Sequence, residues 1–241
     1  MDRKWFAQCC LSLFNSCCAR TGIGTQKERA LHKVLKRYFE PDEAFHEQKI
    51  GRFVADIAKN GKITEIQTRS FNTLRTKLEA FLPQYEVTLV YPIAHIKHLC
   101  WISEDGEVSK RRKSPKKGSI YDAAAELYKI KQFLTNPNLR ICLVLIDLTE
   151  YRSLNGWSRD KKKGSSRAER IPSDIVDEVY IDDYGIFIPK IIQPFTSREF
   201  AQGAHINMKK AVVLLNILNH VGAVERVGKK GNCYLYCKRD A

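Results

Sequence analysis

The sequence predicts an α/β protein, in which a mixed β-sheet is flanked by helices and followed by a small α+β domain. Three observations lead to this prediction. Residues 44–92 contain short β-rich segments and one amphipathic helical segment. Residues 139–148, LRICLVLIDL, are the most hydrophobic run of the chain, which is typical of a central strand covered on both faces. Residues 196–238 contain two helical segments and then two β-rich segments, which indicates a change of domain.

Length and composition agree with a globular protein of one large and one small domain. The chain has 241 residues, of which 44% are hydrophobic and 28% are charged. We predict a loosely packed, apolar and cysteine-rich N-terminal extension at 1–22, a main domain at 23–190 and a small domain at 191–241. The apolar stretch in the extension has about half the length of a membrane span, so no membrane association is expected.

Positive charge is concentrated in two segments of the chain. The net charge is +14. Residues 110–117, KRRKSPKK, hold six basic residues and no acid, and residues 159–170 hold six basic and two acidic residues. Such runs favour a polyanionic partner, because each neutralised phosphate releases counterions. The alternative is a pair of solvated loops.

The second basic run lies in a stretch without periodicity, residues 151–172, which predicts a long loop. Trp157 stands among its arginines and lysines, so base stacking next to phosphate contacts is one expected role. The alternative is that Trp157 anchors the loop to the core. A loop of this length in a globular domain is typical of a binding loop, a lid or a disordered segment.

The eight cysteines do not form a zinc-binding pattern. They are Cys9, Cys10, Cys17, Cys18, Cys100, Cys142, Cys233 and Cys237. The last two have no second pair beside them, and reduced thiols in a cytoplasmic protein are the expectation.

Residues 44–92 have the pattern of strands around a hairpin, followed by a helix and a further strand. The expected elements are strands at 44–50, 53–57 and 63–68, a two-residue turn at Asn60-Gly61, a helix from the cap Ser70 to residue 82, and a strand at 87–91. Within the third strand, Glu65 and Gln67 would share a face.

Acidic and amide side chains in this hairpin suggest a metal site. Asp56 lies four residues before the turn and Glu65 four residues after it, so the two carboxylates should be near neighbours. Together with the amide of Gln67 they suit Mg²⁺ or Mn²⁺, hard cations that prefer oxygen ligands. The alternative is three solvated or hydrogen-bonded sheet residues.

With a helix before the hairpin, the order helix, three strands, helix, strand over residues 25–148 resembles the PD-(D/E)xK superfamily of nucleases. Asp56 matches the first acid of that motif, and Glu65-x-Gln67 matches the second part, with Gln in the place of the usual Lys. The resemblance implies a restriction-endonuclease-like fold and Mg²⁺-dependent endonuclease activity. Asp56 and Glu65 would hold the metal, Gln67 would orient water or phosphate, and Glu28 is a candidate catalytic acid, although a capping box with Thr25 also explains it.

The C-terminal segment resembles a winged helix. Thr196 to Glu199 has the pattern of a capping box, Asn207 can cap a second helix, and two strands surround the basic turn 228–231. The resemblance implies that Lys209 and Lys210 lie on a DNA-reading helix and that Lys229 and Lys230 lie on the wing. Winged helices also bind proteins, so a homodimer or a protein partner stays open.

These patterns favour a metal-dependent nuclease acting on nucleic acid, with DNA as the favoured substrate. The residues expected to contact nucleic acid are Arg111, Arg112, Lys113, Trp157, Arg167, Arg170, Lys209, Lys210, Lys229 and Lys230. One alternative is a catalytically silent nuclease fold that binds DNA or RNA or has a regulatory role. Another is an adaptor that uses the winged helix for protein contacts.

Overall fold

The structure is a computed structural model that describes residues 1–17, 30–103, 105–153 and 166–239, without the side chains of 13–17 and 166–168. Its helices are α1 (Arg3–Cys17), α2 (Ala30–Phe39), α3 (Arg75–Phe81), α4 (Ala124–Lys129), α5 (Ser197–Gly203) and α6 (Met208–His220). Its strands are β1 (His46–Ile50), β2 (Phe53–Lys59), β3 (Lys62–Ile66), β4 (Glu86–Ile102), β5 (Arg112–Lys113), β6 (Leu139–Ser153), β7 (Ser166–Ile181), β8 (Phe195–Thr196), β9 (Val224–Lys230) and β10 (Cys233–Lys238).

A mixed sheet of seven strands is the main element of the fold. Its order is β1-β2-β3-β4-β6-β7, with β5 paired to β4. Strands β1 and β2 are antiparallel, whereas β3 and β4 are parallel, with Glu65 opposite Leu89. A parallel pair needs a crossover connection, and α3 provides it. The predicted α/β class with a mixed sheet flanked by helices is therefore confirmed.

Local sequence signals explain the hairpin and the crossover. Asn60 and Gly61 have φ angles of 50° and 75°, the conformation that the predicted two-residue turn requires. Ser70 caps a short 3₁₀ turn by accepting a hydrogen bond from the backbone N–H of Asn72, and α3 follows this turn. Leu78 and Phe81 on α3 are buried. The predicted order of elements in this region is confirmed.

Two strands extend further than their hydrophobic runs predict. Strand β4 continues from the predicted segment 87–91 to Ile102, and β6 continues to Ser153. The aperiodic loop predicted over 151–172 is therefore wrong at both ends, since β7 already begins at Ser166. The alternating apolar pattern of a strand is absent from the sequence of β7, because some of its positions are charged residues that bind polar partners. Glu169 accepts a hydrogen bond from the backbone N–H of Ala30, and Arg170 donates to Glu150.

Residues 179–188, with Asp182-Asp183-Tyr184-Gly185 between two apolar runs, also have the sequence pattern of a β-hairpin, and this prediction is wrong. Strand β7 ends at Ile181, and a 3₁₀ turn over Tyr184–Phe187 follows. The side chain of Asp183 caps this turn by accepting from the backbone N–H of Gly185 at 2.7 Å. An aspartate that captures the following backbone N–H groups starts a helical turn instead of closing a hairpin.

The chain forms two compact units. The first consists of Met1–Lys59, Pro92–Ser119 and Val144–Glu178, and the second of Asn60–Tyr91, Ile120–Leu143 and Val179–Ala241. The predicted boundaries at 22/23 and 190/191 stay predictions.

Helix α1 belongs to the first unit and is packed against it, so the loosely packed extension predicted for 1–22 is wrong for the described part. Phe6 is fully buried and meets Tyr38 of α2 edge to face, at 5.4 Å between ring centroids. Trp5 donates its indole N–H to the backbone oxygen of Tyr38, and Arg3 donates to that of Ile175. Buried aromatic area and these hydrogen bonds fix α1 against the unit.

The second unit carries a small sheet of three strands with the order β8-β10-β9. Thr196 and Glu199 form the predicted capping box at α5, and Asn207 caps α6 by accepting from the backbone N–H of Lys210. Strand β9 extends to Lys230, so the turn lies at 231–232 and not at 228–231 as predicted. The buried stripe of α6 consists of Ala211, Leu214, Leu215, Ile217 and Leu218. Among the helices of the described residues, none is long and apolar enough to cross a membrane.

Candidate functional site

Asp56 lies on β2 in the first unit and is paired with a histidine. Its Oδ2 is 3.2 Å from Nε2 of His32, which comes from α2. The side chain of Asp56 is 20% exposed, so water can reach it. Strand β2 therefore presents a carboxylate that keeps both a protein partner and solvent access.

Glu65 lies on β3 in the second unit and is bound by a lysine from the crossover helix. It is 2% exposed, and Nζ of Lys77 lies 3.1 Å from its Oε1 and 2.9 Å from its Oε2. A buried carboxylate needs such a charged partner, because desolvating an unpaired charge is costly. Lys77 is thus a functional candidate that was missing from the sequence prediction.

Gln67 follows β3, which ends at Ile66, so its predicted place within the strand is wrong. Its backbone N–H still donates to Val90 at 2.9 Å. Its side chain bonds within the next turn: Oε1 accepts from the backbone N–H of Arg69, and Nε2 donates to Oγ1 of Thr73. The strand ends here because the amide side chain and the Ser70 cap together start the helical segment.

The predicted catalytic residues thus fall into different compact units. Asp56 belongs to the first unit, and Glu65 and Gln67 belong to the second, where the segment from Thr73 to Lys77 contacts both. Glu28 lies outside the described residues. In the parts of the chain that the structure describes, no three His, Cys, Asp or Glu side chains are grouped so as to hold a metal ion.

The first basic run includes β5, which consists of Arg112 and Lys113, and Arg111 precedes this strand. All three side chains are exposed. Strand β5 pairs with β4 through His98↔Lys113 and Leu99↔Arg112. Arg111 donates to Nδ1 of His98 at 2.8 Å. Partial burial, with the charges of Arg111 and Lys113, lowers the pKa of His98 below its ordinary value.

The second basic run is described only in part. Trp157 lies outside the described residues, and only the backbone of Arg167, in β7, is described. Arg170 is described fully: its Nε donates to Oε2 of Glu150 at 3.1 Å.

The lysines of the second unit have different environments. Lys209 is exposed on α6, whereas Nζ of Lys210 is 2.6 Å from the carboxylate of Asp122. Lys229 and Lys230 are exposed at the end of β9, and Nζ of Lys229 lies 5.0 Å from the ring centroid of Tyr234. Three of the four lysines are therefore presented to solvent.

A buried acid on β6, Glu150, was also missing from the sequence prediction. It is fully buried, and Arg152, Arg170 and Lys97 surround it. The sequence contains one signal for it: Glu150 and Arg152 alternate after the hydrophobic run, as residues on one face of a continuing strand do.

The fold and these clusters define an α/β protein with a mixed seven-stranded sheet, a second small sheet and charged clusters on strands. Residues 29–182 match the family model described as domain of unknown function DUF8091, and the chain belongs to this family. An uncharacterized protein of Treponema pallidum (strain Nichols) is 32% identical over 143 residues, which are 58% of this chain and 57% of that protein. The chain thus matches little more than half the length of that relative. No solved structure matches.

Proposed function

We propose that this protein is a metal-dependent nuclease that hydrolyses phosphodiester bonds in nucleic acid, with DNA as the favoured substrate. The observation that supports this most is the order α2, β1, β2, β3, α3, β4, with β3 and β4 parallel. It agrees with the order implied by the resemblance to PD-(D/E)xK nucleases. Asp56 on β2 and Glu65 on β3 then occupy the two acidic positions of the motif.

In this proposal Asp56 and Glu65 are the metal ligands. Their carboxylates are the hard oxygen donors that Mg²⁺ and Mn²⁺ prefer, and Mg²⁺ needs only one or two carboxylates beside its waters. The donor chemistry therefore fits the metal. When bound, the ion would polarise the scissile phosphate and lower the pKa of an attacking water.

Lys77 takes the role of the cation that Gln67 cannot supply. The usual motif has a lysine two residues after the second acid, and Gln67 is neutral there. Lys77 instead approaches Glu65 from α3, with Nζ 2.9 Å from Oε2. An ammonium at this place can stabilise developing negative charge on a phosphate oxygen, while Gln67 orients water or phosphate by hydrogen bonds.

A winged-helix-like arrangement of α5, α6 and the β9–β10 hairpin would contribute nucleic-acid affinity. The exposed lysines Lys209, Lys229 and Lys230 are the expected phosphate contacts. Lys210 would contact phosphate only if its ion pair with Asp122 were broken. A role of this segment in protein contacts, including a homodimer, is a second possibility for it.

A catalytically silent nucleic-acid-binding protein is the second candidate. A specific observation favours it: Asp56, Glu65 and Gln67 all have protein partners, namely His32, Lys77 and Thr73. A metal would have to compete with Lys77 for both oxygens of Glu65. This candidate predicts binding without cleavage.

A cleavage assay distinguishes the two candidates. Purified protein is incubated with single-stranded, duplex and branched DNA and with RNA, in Mg²⁺, in Mn²⁺ and in chelator. The nuclease predicts metal-dependent products that Asp56→Asn and Glu65→Gln abolish, because an amide cannot supply the charge of a metal-binding carboxylate. Lys77→Met should also lower the rate.

Asp182→Asn is the matched control, since Asp182 is 72% exposed and forms a surface pair with Arg140. It should leave cleavage unchanged. Binding without products under every metal condition would refute the nuclease and support the silent binding protein. Products that persist in chelator, or in Asp56→Asn, would refute the assigned metal ligands.

A further inference from the structure

Glu150 organises a cluster of three cations on the first unit. Its side chain is fully buried. Nη2 of Arg152 lies 2.7 Å and Nζ of Lys97 3.9 Å from its Oε1, and Nε of Arg170 lies 3.1 Å from its Oε2. Three neighbouring strands contribute these side chains: β4 provides Lys97, β6 provides Glu150 and Arg152, and β7 provides Arg170.

Among these four side chains, positive charge exceeds negative charge. One cation balances the charge of Glu150, yet three surround it, so the four side chains together carry a formal charge of +2. The cations are also partly exposed, at 24% for Lys97, 30% for Arg152 and 18% for Arg170. The buried carboxylate thus fixes the orientation of positive groups that reach solvent.

The arginines suit the recognition of phosphate. A guanidinium has five N–H donors in a planar fork, and Arg152 directs its Nε and Nη2 groups to Glu150. Its remaining donors can serve another anion. Holding the side chain in one rotamer beforehand reduces the entropy lost on binding.

An aromatic ring lies beside the cations. Cζ of Arg152 is 5.7 Å from the ring centroid of Trp101, which is partly exposed. Trp101 is four residues after Lys97 on β4, and alternate residues of a strand share a face. Cations next to an aromatic ring are the combination with which proteins bind single-stranded nucleic acid.

We propose that Lys97, Arg152 and Arg170, oriented by Glu150, bind backbone phosphates of single-stranded nucleic acid, and that Trp101 stacks on a neighbouring base. Arg112 of β5 extends the positive surface, because it is paired with Leu99, which lies between Lys97 and Trp101 on the same face of β4. The proposal rests on the nucleic-acid partner of the proposed function. It does not require hydrolysis.

Binding is measured by fluorescence anisotropy with a labelled single-stranded oligonucleotide, in chelator, over a range of salt concentrations. The double variant Arg152→Gln/Arg170→Gln should bind at least about tenfold more weakly. Its slope of log K against log salt should fall by about 1.4, which corresponds to two lost phosphate contacts. Trp101→Leu should weaken binding about tenfold, as expected for one lost stacked base, and should change duplex binding less.

Arg140→Gln is the matched control, because Arg140 lies on the same strand, is 55% exposed and pairs with Asp182. It removes one positive charge, as each single substitution of the double variant does, and should leave the affinity within about twofold of wild type. If circular dichroism shows that the double variant does not fold, the binding affinities of Lys97→Gln and Trp101→Leu test the proposal instead. Lys97→Gln removes only the longest of the three contacts to Glu150, at 3.9 Å. It should weaken binding about threefold.

Wild-type affinity in the double variant, or in both Lys97→Gln and Trp101→Leu, would overturn the proposal. An equal loss in Arg140→Gln would also overturn it, since it would indicate a response to net charge alone. This binding test is independent of the test for nuclease activity. If the wild type cleaves no substrate but the variants bind more weakly, the proposed hydrolysis is refuted and the proposed phosphate-binding cluster is supported.

Discussion

The ammonium of Lys77 on α3 bonds both carboxylate oxygens of Glu65 on β3, at 3.1 Å and 2.9 Å. Glu65 is 2% exposed, whereas Lys77 is 23% exposed. The contact therefore joins the crossover helix to the strand before it and keeps a buried charge neutralised. Lys77 is therefore expected to contribute both to the stability of the protein and to the proposed catalysis.

Replacing Lys77 by methionine should destabilise the protein by about 3–5 kcal/mol, because a buried carboxylate loses the cation that bonds both of its oxygens. Urea unfolding measures this free energy. Lys62→Met is the control: Lys62 and Glu86 are 69% and 66% exposed, so their pair should contribute less than about 1 kcal/mol.

The double variant Glu65→Leu/Lys77→Met tests the physical cause. Removing both charges should recover most of the loss, since no unpaired charge stays buried. A double variant as unstable as Lys77→Met would show that packing, and not the buried charge, determines the effect.

Glu150→Gln should destabilise the first unit by about 3–5 kcal/mol, because Lys97, Arg152 and Arg170 lose the negative charge between them. Salt should reduce this loss, since it screens the repulsion among the partly exposed cations. Thermal unfolding at low and at high salt measures both effects. A deficit that does not change with salt would contradict the electrostatic explanation.

The free energy of unfolding should fall at mildly acidic pH because His98 becomes protonated. Partial burial, together with Arg111 and Lys113, lowers its pKa in the folded protein. The unfolded chain therefore takes up the proton first as pH falls. The stability conferred by neutral His98 is complete above its ordinary value of 6.5 and is lost as pH falls through that value towards the lower folded pKa.

Urea unfolding of wild type and of His98→Gln between about pH 7.5 and 5 measures this effect. The wild type should lose more stability over this range, because protonation of Nδ1 also ends its hydrogen bond from Arg111. Parallel pH profiles for the two proteins would contradict the prediction.

The cysteines of α1 should react slowly with thiol reagents. Burial raises the pKa of Cys9 to about 11 and that of Cys10 to about 12, so both stay protonated at pH 8, where the thiolate is the nucleophile. Cys233 is exposed and should be labelled before Cys9 and Cys10. Labelling followed by peptide mass mapping gives the order, and denaturant should remove the difference. Equal rates in the native protein would contradict the packing of α1.

Short-range signals in the sequence determined much of the fold. The turn at Asn60-Gly61, the cap at Ser70, the capping box of Thr196 and Glu199 and the cap at Asn207 each fix the backbone through contacts within a few residues. The run at 139–148 likewise predicted a central strand, because burial on both faces requires continuous apolar residues. Such features depend little on the rest of the chain.

Only the tertiary structure decided which charged residues meet. Lys77 reaches Glu65 across 12 residues, and Arg170 reaches Glu150 across 20. Strand β7 looked aperiodic because its charged residues find partners on other elements. Helix α1 looked loose because its partners are distant in sequence: Phe6 packs on Tyr38 of α2, and Arg3 donates to the backbone of Ile175 in β7. Hydrogen bonds and ion pairs between residues distant in sequence have no local pattern. The identity of the charged residues was therefore known from the sequence, but their pairing came from the fold.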